Sequence, residues 1–152
     1  MTTVSTTGRS PAIAPVLTAV AATGIVALAV GAVVTWVEAE ASGETSYRAG
    51  DLVGLSVMAA LGLVVVGLLD VWGLRGGEQR TRRLVVGLAV GAAVLFPVLW
   101  WNAVPVMMAA SVLALTAQVG RDRVPRAAVL AAVLVLAGVL AVWTGSLLAE
   151  LL

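Results

Sequence analysis

The stretch LVVGLAVGAAVLFPVLWWNAVPVMMAASVLALTAQVG, residues 84–120, decides the fold of this chain. It contains about 37 residues without a charged side chain. One straight helix of that length would be about 55 Å long at 1.5 Å per residue. Because the hydrocarbon core of a bilayer is only about 30 Å thick, tilt alone cannot accommodate such a helix. The stretch therefore predicts two short helices rather than one long helix.

The predicted break lies in the middle of this stretch, in the sequence FPVLWWNAVP at residues 96–105. Proline disrupts helices, Asn favours turns and helix N-termini, and Trp is enriched at membrane–water interfaces. We predict helices over about 84–100 and 104–119, joined as a tight helical hairpin.

Three further apolar stretches are long enough to cross a bilayer, and they predict spans over about 14–37, 52–74 and 127–149. The chain is 61% hydrophobic and 11% charged, whereas about a quarter of the residues in a soluble domain are charged. We predict an all-α integral membrane protein: a bundle of about five transmembrane helices in a single polytopic domain over residues 1–152. Residues 1–9 are polar and short, and we expect them to be disordered.

Charge in the loops predicts the orientation. The loops at 75–83 and 121–126 are rich in Arg, whereas the loop at 38–51 is acidic. The positive-inside rule places both Arg-rich loops in the cytoplasm, which requires an even number of crossings between them. The hairpin provides that number. We expect the N-terminus in the cytoplasm and the C-terminus outside, in the plasma (inner) membrane of a bacterium, since Arg without Lys in an Ala/Val/Leu-rich chain is typical of a high-GC bacterial genome.

A cleaved signal peptide is the alternative for the first span. Ala39-Glu40-Ala41 fits a small-x-small cleavage pattern. The apolar run before it is about 26 residues, however, longer than the usual 7–15 residues of a signal sequence. Cleavage would leave four spans and the same orientation for the rest.

Missing residue types exclude several chemistries. The chain has no Cys and no His, and all nine of its basic residues are Arg. Thiol chemistry, His-based acid–base catalysis and Lys Schiff bases are therefore excluded. We predict no cofactor, no metal site and no catalytic residue, and no nucleic-acid partner, because basic residues occur only in the termini and short loops.

Asp70 is the one charged residue inside a predicted span. Charged residues within spans are rare and often functional, so Asp70 is a candidate for binding an ion or a proton. Because it is about one turn from Arg75, an interfacial charge or a structural ion pair with Arg75 or Arg83 is the alternative interpretation.

Trp100, Trp101 and Asn102 form a second candidate group, since polar residues at broken helices can line an outer vestibule. The alternative is structural: Asn102 caps the next helix, Pro105 occupies its first turn, and the Trp side chains mark the interface.

Three functions remain open at this stage. The first is a non-enzymatic accessory, scaffold or regulatory subunit of a membrane complex, whose partners are the lipid bilayer and another membrane protein or further copies of itself. The alternatives are a small oligomeric transporter or channel, and a lipid-modifying membrane enzyme. No residue pattern here resembles a catalytic signature, so the sequence favours a protein that is not an enzyme.

Overall fold

The computed structural model describes residues 12–42, 47–99 and 101–151. Two predictions lie outside these residues: the disordered segment at 1–9 and the position of Trp100. The described residues form five α-helices and a short 3₁₀ turn at Arg121–Arg123, with no β-strand among them. The helices are α1 Ile13–Ser42, α2 Tyr47–Arg75, α3 Glu78–Leu99, α4 Ala103–Val119 and α5 Arg126–Leu151.

The all-helical prediction is confirmed, and the apolar helices support a membrane protein. Four helices contain segments long and apolar enough to cross a membrane: Ile13–Val37, Asp51–Arg75, Glu78–Leu99 and Arg126–Ala149. The remaining helix, α4, is a shorter apolar helix of 17 residues. Whether α4 also crosses, as the five-span hairpin topology requires, stays a prediction.

The short helix α4 lies at the centre of the bundle and packs against all four other helices. Its buried residues point in every direction around the helix axis, and they include Val106, Met107, Ala109, Val112 and Leu115. The other helices each turn an apolar face outward, with exposed Val and Leu side chains. In a bilayer that exposed surface would face lipid.

Glycines let the outer helices approach α4 closely. A Cβ placed on Gly24 would lie 2.8 Å from the sulfur of Met107, and a Cβ on Gly62 would lie 2.8 Å from its Cε atom. The flexible thioether of Met107 therefore fills the space that these two glycines leave on α1 and α2.

Local signals explain the break between α3 and α4. Asn102 is the N-cap of α4, and its side-chain oxygen accepts a hydrogen bond from the backbone N–H of Val104 at 3.0 Å. Pro105 is buried in the first turn, where its missing N–H leaves no helical hydrogen bond unmade. Pro97 lies in the last turn of α3.

The α2–α3 and α4–α5 connections meet at the other end of the bundle. Gly77 and Gly120 provide the positive φ angles, 82° and 99°, on which the chain reverses. A salt bridge of 2.9 Å joins Glu78 of α3 to Arg123 of the 3₁₀ turn. The two Arg-rich segments therefore lie together at one end of the molecule.

Candidate functional site: a buried carboxylate between α2 and α4

Asp70 faces the interior of the bundle and has no solvent-exposed surface. The hydroxyl group of Ser111, on α4, donates a hydrogen bond to its Oδ1 atom at 2.5 Å. Ser111 is also fully buried. The contact joins α2 to the middle of α4, and its two residues are separated by 41 positions in the sequence.

The position of Asp70 follows from the inward face of α2. Gly62, Val66 and Gly73 are buried on this helix at offsets of eight, four and three residues from Asp70. Residues at such spacings share one side of a helix, so Asp70 is on the side that packs against the bundle. This spacing is a sequence signal that could have indicated burial.

The predicted ion pair of Asp70 with Arg75 or Arg83 is absent from the described residues, whereas the depth of Asp70 in the membrane stays a prediction. Arg75 and Arg83 are both exposed, and no ion pair joins either of them to Asp70 within the described chain. The partner of the carboxyl group is instead Ser111, which no sequence pattern assigns to a site.

Half of the carboxyl group is left without a partner. The Oδ2 atom of Asp70 is buried and accepts no hydrogen bond from any described residue. Other buried hydroxyl groups bond to backbone carbonyls: Thr116 donates to Val112 at 2.6 Å, and Thr81 donates to Gly73 at 3.0 Å. Oδ2 is therefore a free polar atom in apolar surroundings.

A charged carboxylate in such a place is costly, because transfer of an ion out of water costs several kcal/mol or more. A bound proton or a bound cation removes this cost. The site provides two carboxylate oxygens and one hydroxyl, whereas hard cations such as Ca²⁺ take six or more oxygen ligands. A proton, which needs a single oxygen, fits these residues better.

Access to the carboxyl group differs on its two sides. Arg75, at the end of α2, is five residues from Asp70, which is about 7.5 Å along the helix. In the opposite direction, the next turn of α4 carries Met107, which is fully buried against Gly24 and Gly62. The short way out therefore leads to the Arg-rich end of the bundle.

The residues predicted for an outer vestibule do not join this site. Trp101 is 45% exposed, and Asn102 is fully buried with its oxygen used in the α4 cap. The Nδ2 atom of Asn102 has no partner among the described residues. Asn102 is nine residues from Ser111, or about 13 Å along α4, so the two polar groups are separate.

A different feature lies on the outer surface of α5. Ala137, Ala141, Gly145 and Ala149 are all exposed and follow each other at intervals of four residues. A Cβ on Gly145 would meet nothing within 4 Å, whereas a Cβ on Gly138, in the same helix, would lie 2.8 Å from the ring of Phe96. The space beside Gly138 is filled by Phe96 of α3, whereas the space beside Gly145, the open notch on α5, is not occupied by any described residue.

Comparison of this chain with protein families, with curated proteins and with solved structures found no match.

Proposed function

We propose that this chain is a small multi-pass membrane protein that binds and releases a proton at Asp70, in the class of small transporters and channels. The observation that carries the proposal is the fully buried carboxyl group of Asp70 with its unpartnered Oδ2 atom. Intramembrane carboxyl groups are expensive, and they are typical of proton relays and ion pathways.

In this proposal Ser111 holds the carboxyl group toward α4 while Oδ2 exchanges the proton. The proton enters from the Arg-rich end, which is the nearer one. Release toward the opposite end requires Met107 to move, and its unbranched side chain has the rotational freedom to do so. Because α4 fills the centre of the bundle, a pathway for anything larger would have to lie between copies of the chain.

Proton flux into proteoliposomes tests this function. The purified protein is reconstituted with an entrapped pH-sensitive dye, and a potassium diffusion potential drives the flux. We expect wild-type vesicles to change pH faster than empty vesicles, and Asp70→Asn to reduce that excess rate at least tenfold. Asn102→Ser is the matched control, because it also alters a buried polar side chain but leaves Asp70 intact. A wild-type rate equal to that of empty vesicles, or an Asp70→Asn rate equal to wild type, would refute the proposal.

The membrane topology belongs to the same proposal. Five crossings, with α4 as one of them, place both Arg-rich segments in the cytoplasm of a bacterial inner membrane and the C-terminus outside. The Glu78–Arg123 salt bridge supports this arrangement, because it joins the two Arg-rich segments. A reporter that is active only outside the cytoplasm, fused after Leu152, should be active. Activity of a cytoplasmic reporter alone at that position would contradict five crossings.

The second candidate is a non-enzymatic accessory or scaffold subunit that acts by helix association. The open small-residue row on α5 favours it, since small residues at four-residue intervals allow close contact between membrane helices. The occupant would be a helix of another membrane protein or of a second copy.

Native mass after extraction in mild detergent tests association. We expect Gly145→Leu to release the partner or dissociate the oligomer, because the added side chain fills the open notch. Gly54→Leu is the matched control, since a Cβ on Gly54 also meets nothing within 4 Å but lies on α2. Equal assembly in both variants, or a monomeric wild type with no co-purifying protein, would eliminate this candidate.

A further inference from the structure

An open cavity with a mostly apolar surface, separate from Asp70, lies at the Arg-rich end of the bundle. It has a volume of about 400 Å³ and is lined by Gln79, Arg82, Arg83, Val86 and Pro125. The first four residues belong to the start of α3, and Pro125 immediately precedes α5. Two Arg side chains and one Gln side chain therefore line a cavity whose surface is mostly apolar.

The charges around this cavity are unbalanced. Neither Arg82 nor Arg83 forms an ion pair within the described part of the chain. The nearest acidic residue on α3, Glu78, is already paired with Arg123 at 2.9 Å. Glu78 and Asp122 line a neighbouring cleft of about 510 Å³, which shares Gln79, Arg82 and Pro125 with this cavity. Arg82 and Arg83 thus give the cavity a positive charge, and neither of the two acidic residues lines it.

An apolar row extends from the cavity along the surface of α3. Val86, Val90, Val94 and Val98 follow Arg82 at intervals of four residues, and all four are exposed. From Val86 to Val98 the row is about 18 Å long at 1.5 Å per residue. One leaflet contributes about half of a hydrocarbon core of roughly 30 Å, so the row is long enough to contact an acyl chain over its full depth.

We propose that this cavity is a binding site for an anionic phospholipid. The phosphate group is held by the guanidinium groups of Arg82 and Arg83, and Gln79 donates a further hydrogen bond. One acyl chain lies along the valine row of α3. Arg is suited to this role because its planar fork of donors matches phosphate oxygens. The occupant is a lipid rather than a soluble phosphate compound because the charged cavity continues directly into an apolar surface.

Native mass spectrometry of the full chain tests the site. The protein is loaded with phosphatidylglycerol or with phosphatidylcholine in mixed micelles, and the bound lipid is counted after delipidation. We expect the wild type to retain phosphatidylglycerol several-fold better than phosphatidylcholine. The double substitution Arg82→Gln and Arg83→Gln should abolish this preference. The matched control is Arg75→Gln with Arg121→Gln, which removes the same charge from two exposed residues at the same end that do not line the cavity.

Each result decides the proposal. The proposal is supported if the Arg75→Gln/Arg121→Gln control keeps the preference for phosphatidylglycerol while the Arg82→Gln/Arg83→Gln variant loses it. Equal loss in both pairs overturns it, because the lipid would then respond to overall charge rather than to this cavity. Inorganic phosphate is the further arm: if it displaces phosphatidylglycerol at millimolar concentration, the site recognises a free anion and the lipid assignment is wrong. Proton flux is measured in parallel for the Arg82→Gln/Arg83→Gln variant, and it should equal that of the wild type.

Discussion

Two fully buried polar residues contact the central helix, and they differ in how they are satisfied. Asn102 caps the start of α4 through a hydrogen bond to Val104, and Asp70 reaches Ser111 in the middle of the same helix. Each leaves one atom without a described partner, Nδ2 in Asn102 and Oδ2 in Asp70. Only Asp70, however, can gain or lose a charge. Burial of a polar atom is thus common to both sites, whereas chemistry that responds to protons belongs to one.

The largest change in stability should come from removing the partner of Asp70. We expect Ser111→Ala to lower the free energy of unfolding by about 2–3 kcal/mol, because both oxygens of a buried carboxyl group would then be unsatisfied. Unfolding in mixed micelles followed by circular dichroism measures this change. A loss below about 0.5 kcal/mol would mean that the hydroxyl group contributes little to holding Asp70.

Removing both polar groups should leave the free energy of unfolding unchanged or raise it, in contrast to Ser111→Ala alone. Leu has the branching pattern of Asp, so Asp70→Leu with Ser111→Ala replaces the pair by apolar groups of similar shape. Replacing both partners of a buried hydrogen bond by apolar groups of the same shape is often neutral or stabilising. We expect the free energy of unfolding of the double variant to equal that of the wild type or to exceed it by up to about 1 kcal/mol. Its proton flux should be absent. A lower free energy of unfolding in this variant would instead indicate that the Asp70–Ser111 hydrogen bond stabilises the packing of α2 against α4.

The two sites also differ in how far the sequence predicts them. The cap at Asn102 is predicted because its hydrogen bond spans two residues, and the neighbouring prolines and Trp residues point to the same break. The spacing of small residues on α2 could have indicated that Asp70 is buried, but its partner, 41 residues away on another helix, is not predicted. Its distance along the helix from Arg75 suggested an interfacial position. The direction in which it faces, which packing around α4 decides, could not be obtained from that distance.

The cap should respond to substitution more weakly than the carboxyl site. We expect Asn102→Ala to lower the free energy of unfolding by about 1 kcal/mol, the usual cost of losing an N-cap. Asn102→Ser keeps an acceptor oxygen and removes the unpartnered Nδ2 atom, so it should stay within about 0.5 kcal/mol of the wild type. Thermal unfolding in detergent distinguishes the two variants. Equal losses in both would mean that Nδ2 has a role that the cap does not explain.

The smallest expected effect is the coupling between the two sites. Asn102 is about 13 Å from Ser111 along α4. The stability changes caused by substitutions at such distant sites, without shared partners, are usually additive to within about 0.5 kcal/mol. A double-mutant cycle of Asn102→Ala with Asp70→Asn should therefore show almost no interaction energy. The cycle of Ser111→Ala with Asp70→Asn should show at least about 1 kcal/mol, since those side chains touch. Strong coupling between Asn102 and Asp70 would mean that α4 transmits changes along its whole length, and the two polar sites would then be parts of a single pathway.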